Sequence, residues 1–123
     1  MKTHQILVVE DDAILAVVLA ELLVGMGHTV CEIASTQAGA VAAVVRHSPD
    51  LMIVDETLSE GDGVSAVEDI HRAGMFVAHV FVSGNPGRIH AHRPGSVVVR
   101  KPFRLAELVG AMENAFAVVS VDA

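Results

Sequence analysis

The chain has 123 residues, 52% of them hydrophobic and 19% charged, with a formal net charge of −7. That length suits one domain with a single core, and so apolar a composition excludes a disordered tail. The acidic balance argues against nucleic acid, which is bound by neutralising phosphates with basic side chains.

The single cysteine, Cys31, rules out an internal disulfide and fits a reducing compartment; its apolar neighbours make it a small core residue. No apolar run reaches the ~18 to 20 residues that span a bilayer. Met1-Lys2-Thr3-His4-Gln5 leads straight into a strand, without a signal-peptide pattern. A cytoplasmic protein with no membrane partner is expected. No linker, repeat or low-complexity stretch divides the chain, so residues 1–123 are expected to form a single domain.

Apolar runs of four to eight residues alternate with segments of helical period, the pattern of a parallel sheet covered on both faces. The first strand is Gln5–Val9. A helix follows from Ala13 with Asp12 as N-cap, its core face expected at Ile14, Val17, Val18, Leu22 and Leu23, and it stops at Gly25 or Gly27. The second strand is Thr29–Ile33, and Ser35 or Thr36 caps a helix to Arg46. Pro49-Asp50 precedes the third strand, Leu51–Val54. A third helix runs from Gly63 to Arg72. The fourth strand is Phe76–Val82 and the fifth Ser96–Arg100. A last helix starts near Arg104, with Leu105, Leu108, Val109 and Met112 on one face. Between strands four and five, residues 84–95 contain two prolines and three glycines, which oppose helix. A loop or a 3₁₀ turn is expected there.

Charged residues stand where the apolar runs stop. Glu10-Asp11-Asp12 ends the first strand, Asp55 the third and Lys101-Pro102 the fifth. In an open α/β sheet, the carboxyl ends of strands are where ligands bind. Three carboxylates and an ammonium there describe a hard-cation site with an anion-binding lysine beside it. An aspartate becomes a useful nucleophile toward phosphoryl groups, and a divalent cation relieves the charge repulsion. Asp11 and Asp55 would supply carboxylates to Mg²⁺, Glu10 could hold a metal-bound water, and Lys101 would neutralise a phosphoryl oxygen. Ser83, directly after Phe81-Val82, offers a hydroxyl at the same edge. Pro102 after Lys101 can take a cis bond.

Each of these residues has a plainer reading. Alone, Asp55 is a solvated strand-end aspartate, Asp12 a helix cap and Lys101 a surface charge; the combination favours the site. Among the seven histidines, His90 and His92 lack flanking ligands at zinc spacing and read as a solvated pair.

These pieces, in this order, resemble the receiver domain of bacterial two-component response regulators, particularly the single-domain chemotaxis type. The matched residues are Ile6 to Asp12, Asp55 with Leu58 and Asp62-Gly63 after it, Ser83-Gly84, and Lys101-Pro102-Phe103. The resemblance covers about Gln5 to Phe116. It implies a flavodoxin-like, doubly wound, five-stranded parallel sheet of order 2-1-3-4-5, with no output domain attached. A shortened or irregular fourth helix is implied as well, as in a subset of such regulators.

The resemblance also implies a function. Asp55 would be the phosphoacceptor and Lys101 the phosphate-binding lysine. Ser83 would be the switch hydroxyl. Glu10 and Asp11, with Asp55 and the Thr57 carbonyl, would hold Mg²⁺. A histidine kinase or histidine phosphotransfer protein would donate the phosphoryl group, and the chain would catalyse both the transfer and a slow self-dephosphorylation. Thr57 and Asn85 fall where the family tunes that hydrolysis. The protein would act as a switch, shuttle or phosphate sink, as a monomer or weak dimer.

One departure concerns how the signal travels. The family's strand-five aromatic is replaced by Val98, and the chain contains no Tyr or Trp. An ordering of residues 84–95 when Ser83 engages the phosphoryl group is the expected substitute. The competing reading is a pseudo-receiver, a phosphorylation-independent interaction module on the same fold. A flavin or nucleotide binder is set aside, because Glu10-Asp11-Asp12 would repel a phosphate after strand one.

Overall fold

Side chains alternate across a strand, and here both sets are buried. In β1 (Gln5–Val9), Leu7 and Val9 face one side while Ile6 and Val8 face the other, each at most 1% exposed. β3 (Leu51–Asp55) repeats this, with Met52 and Val54 on the first side and Leu51 and Ile53 on the second. Strands buried on both faces belong to a parallel sheet covered by helices.

The computed structural model describes the backbone of residues 2–122 and the side chains through 118. The remaining elements are α1 (Ala13–Gly25), β2 (Thr29–Ala34), α2 (Gln37–His47), α3 (Gly63–Arg72), β4 (Ala78–Ser83), α4 (Pro86–His92), β5 (Val98–Arg100) and α5 (Leu105–Asp122). The five strands are all parallel, in the order β2-β1-β3-β4-β5. Helices α2, α3 and α4 cover the face of Leu7, Val9, Met52, Val54 and Phe81. Helices α1 and α5 cover the face of Ile6, Val8, Leu51, Ile53 and Val80. Among the described residues, no helix is long and apolar enough to cross a membrane.

Capping follows the sequence closely. The Asp12 side chain accepts from the amides of Ile14 and Leu15, and Thr36 Oγ1 from that of Gly39. Past the end of α1, Gly27 takes a φ of +96° that a side chain would resist.

Three expectations are corrected. The buried stripe of α1 is Ala16, Leu19 and Leu23, whereas Ile14, Val17, Val18 and Leu22 are at least 40% exposed. This helix is apolar nearly all round, so periodicity could not choose its face. In α5 the buried residues are Leu108, Ala111, Met112 and Ala115, and Leu105 is exposed. Small alanines let the helix approach the sheet, and they carry little weight in a search for large apolar residues.

The third correction is that α4 is a true seven-residue helix rather than a loop. Pro86 stands in its first turn, where a missing N–H breaks no bond, and Asn85 caps it. Ile89 is 1% exposed and anchors the helix in the core cluster that holds Phe81 and Val67. The helix is short, as expected, but formed. β4 and β5 each begin two residues later than expected, at Ala78 and Val98. Cys31 lies half-buried on edge strand β2, its thiol donating to the Ile6 carbonyl at 3.5 Å.

Candidate functional site

Parallel strands bring all their carboxyl ends to one edge, so the charges that end each apolar run must meet there. Glu10 follows β1 and is held by its amide, which donates to the Ala34 carbonyl at 2.9 Å. Asp55 is the last residue of β3, in register with Val82 of β4. The Lys101 amide donates to the Ser83 carbonyl at 2.9 Å, setting the lysine opposite the end of β4, and the Lys101–Pro102 bond is cis.

Asp55 is 5% exposed, and both its oxygens are engaged. The Lys101 ammonium donates to Oδ2 at 2.6 Å, and the Thr57 amide donates to Oδ1 at 3.1 Å. Lys101 also stands 4.0 Å from Glu10 Oε1, and the Asp12 amide donates to Glu10 Oε2 at 3.1 Å. Glu10, Asp11 and Asp55 each place an oxygen within 4.8 Å of the others; among the described residues no other group of three possible metal ligands does so. Glu10 and Asp55 are buried, and Asp11 is exposed.

The electrostatics are those of too many carboxylates around one cation. Burial, aided by the adjacent Asp55, pushes the Glu10 carboxyl up to about 7. Burial works against the charge of Lys101, yet the bonded Asp55 carboxylate, with Glu10 and Asp11, raises its pKa above the ordinary lysine value. A small divalent cation with hard oxygen ligands fits this cluster, because it would neutralise the charge that one ammonium leaves uncompensated. Glu10, Asp11 and Asp55 would hold it, with the Thr57 carbonyl in the adjoining loop.

The site rests on one close backbone approach. The Gly63 amide donates to the Glu56 carbonyl at 2.8 Å, folding the β3–α3 loop back beneath Asp55. A Cβ at Gly63 would collide with the Asp55 carbonyl oxygen and lie 2.7 Å from Val54 Cγ1. Asp62 caps α3, accepting from the Ser65 amide at 2.8 Å.

Residues 6–113 match the family described as the response regulator receiver domain. The chain belongs to that family.

Among curated receiver-containing relatives, it is 31% identical over 115 residues to the phyllosphere-induced regulator PhyR of Methylorubrum extorquens, covering 90% of this chain and 43% of PhyR. It is 39% identical over 67 residues to the chemotaxis protein CheY of Bacillus subtilis, covering 54% of this chain and 56% of CheY. The chain thus matches about half the length of these curated relatives. Among solved structures, the PhyR receiver domain of Erythrobacter litoralis superposes with a TM-score of 0.83 at 28% identity, covering 95% of this chain and 92% of that one. A LuxR-family response regulator from Aurantimonas gives 0.82 at 25% identity, covering 94% and 86%. The sheet order and the five helices are those of the flavodoxin-like receiver fold.

Two residues of this receiver's edge, Glu56 and Arg88, escaped the sequence; Glu56 meets the expected Ser83 and Arg88 meets Glu56. Ser83, 1% exposed at the end of β4, does not bond Asp55; its hydroxyl donates to Glu56 Oε1 at 2.6 Å. Glu56 is gripped from the other side by Arg88 of α4, through Nε at 2.6 Å and a terminal nitrogen at 2.9 Å. The Arg88 bonds, and more weakly the Ser83 hydroxyl, hold the Glu56 carboxyl below its usual value despite its burial. The one available signal was the adjacency of Glu56 to Asp55. The His90-Ala91-His92 pair lies on α4, with His92 3.4 Å from Glu68 and no ligand cluster around it among the described residues.

Proposed function

We propose that the chain is a phosphoacceptor, taking a phosphoryl group onto Asp55 from a histidine of a kinase or phosphotransfer protein. The observation that carries this is a nearly buried Asp55 bonded to the Lys101 ammonium, with Glu10 and Asp11 beside it. A structural aspartate would be satisfied by the lysine alone. The extra acids serve only if a cation and an anionic group are to be accommodated as well.

An Asp55 carboxylate oxygen attacks phosphorus, the bond to the donor nitrogen breaks, and the imidazole leaves with the electron pair. Mg²⁺, when bound by Glu10, Asp11, Asp55 and the Thr57 carbonyl, supplies positive charge for the phosphoryl oxygens. Lys101 gives up the carboxylate it bonds in the resting chain and takes a phosphoryl oxygen, so its charge follows the added negative charge. The Thr57 amide keeps the other carboxylate oxygen oriented. Water later attacks the acyl phosphate and restores Asp55, and Thr57 and Asn85 stand at the positions where the family tunes that hydrolysis. The chain works in the cytoplasm as a switch, shuttle or phosphate sink.

Intact mass after incubation with Mg²⁺ and acetyl phosphate tests this reading. One added phosphoryl group is expected, absent in Asp55→Asn and absent after EDTA. No gain from acetyl phosphate or from a phosphohistidine donor, or an equal gain in Asp55→Asn, would favour the pseudo-receiver.

A further inference from the structure

A serine hydroxyl has one proton to donate, and in the resting chain Ser83 spends it on Glu56. The same oxygen accepts the Asn85 amide at 2.8 Å, and Asn85 is the N-cap of α4. Arg88, in the first turn of that helix, clasps Glu56 with two bonds. Ser83, Glu56, Asn85 and Arg88 therefore form one continuous network from the end of β4 to the start of α4. The helix has seven residues, one of them Gly87 and only Ile89 buried. It lies beside β5, His90 Nε2 meets the Ser96 carbonyl at 3.1 Å, and its far end meets α3 through Glu68 at 3.4 Å from His92 and 3.8 Å from Arg93. Its first turn is held chiefly by the network of Ser83, Glu56, Asn85 and Arg88.

We propose that Glu56 and Arg88 form a latch that passes the phosphorylation state of Asp55 to α4, with Ser83 as its moving part. The proposal rests on Asp55 being the phosphoacceptor. Ser83 lies one residue beyond Val82, the register partner of Asp55. A phosphoryl group on Asp55 presents three strongly accepting oxygens, which compete with Glu56 for the single hydroxyl proton. When Ser83 turns to them, no covalent bond changes. Glu56 loses one donor, and the Asn85 amide loses its acceptor at the helix cap. Both losses fall on the first turn of α4, and so short a helix has little cooperativity of its own to resist them. Glu56 is thus a positioning residue, acting on the site through Ser83. The latch supplies a route for the signal that does not pass through an aromatic at Val98. It also reverses the expected ordering of residues 84–95: α4 is formed at rest and loosens when Asp55 carries a phosphoryl group.

The test is amide exchange across Arg88–His92, with and without beryllium fluoride and Mg²⁺ as a phosphoryl mimic, its uptake followed by fluorine NMR. In the wild-type chain the mimic is expected to raise exchange about tenfold, the scale of losing charge-assisted bonds. Arg88→Gln, an exposed position, should exchange faster without the mimic and respond to it by less than about twofold. Glu56→Gln keeps an acceptor for Ser83 but drops the ion pair, and should match Arg88→Gln. Uptake with unchanged exchange, or a wild-type response in Arg88→Gln, would overturn the latch alone. Absence of uptake would overturn the phosphoacceptor reading and the latch with it.

Discussion

At Gly63 the backbone of α3 comes so near Asp55 that no side chain fits between them. Gly63→Ala must move one of two buried backbones, and is expected to cost about 1–3 kcal/mol in urea unfolding. It should also slow phosphoryl uptake, since the displaced atoms carry Asp55. A variant as stable and as fast as wild type would mean that the loop yields freely. Asp62-Gly63 was legible in the sequence only as part of the pattern that follows Asp55 in the family; its capping of α3 came from the structure. Glu10, Asp55 and Lys101 were legible for a local reason: each is a charge directly after an uninterrupted apolar run. Glu56 was not, because an acid one residue past a strand end looks like any solvated loop residue until its partner is known. That partner, Arg88, is 32 positions away, in a segment whose prolines and glycines argued against helix.

At the scale of elements, the assignments hold best where the sequence pattern is one-sided. Four of the helices and three of the strands lie where composition and spacing put them, and β4 and β5 are present but begin two residues later. The exception in existence is α4, where one cap, one proline in the first turn and one buried isoleucine outweigh unfavourable propensities. The exception in orientation is α1. Leu22 and Leu23 are neighbours of the same type, yet Leu23 is fully buried and Leu22 is 40% exposed. Leu23→Ala is accordingly expected to cost about 2–5 kcal/mol. Leu22→Ala should cost less than about 1 kcal/mol, as surface changes do. Equal losses in denaturant titrations would show that Ala16, Leu19 and Leu23 are not the packed face of α1.

Across the whole molecule, stability is tied to pH by Glu10 and by three histidines held below their usual value, His28, His71 and His79. His28 is 4% exposed, its Nδ1 accepts the His4 amide at 3.1 Å, and its buried Nε2 has no partner among the described residues. Burial, with His4 nearby, holds its pKa below the ordinary 6.5. His79 is shifted the same way, by burial first and then by Arg93 and His71, against the raising effect of its contact with the Val77 carbonyl. Well above 6.5 His28 and His79 are neutral whether the chain is folded or not, and their burial costs no protons. Below 6.5 the unfolded chain gains protons that the folded chain refuses, so stability falls. Glu10, pushed up to about 7, works in the opposite sense over the same interval, so the histidine effect is read by difference. The urea midpoint of wild type minus that of His28→Gln should be smaller at about pH 5.5 than at about pH 7.5. A difference between the two midpoints that does not change with pH would refute the assignment.

The sequence by itself determined which residues could be charged at strand ends, which segments would be buried on two faces, and therefore the class of fold and the edge where chemistry gathers. Those properties are local, carried by runs of four to eight residues and their endings. Only the tertiary structure decided which side of α1 faces the sheet, that residues 86–92 close into a helix, and that the Ser83 hydroxyl rests on Glu56 rather than Asp55. Each of these depends on contacts between residues far apart in the chain. Burial and hydrogen-bond partners there are set by what the other elements leave open, and local propensity carries no record of it.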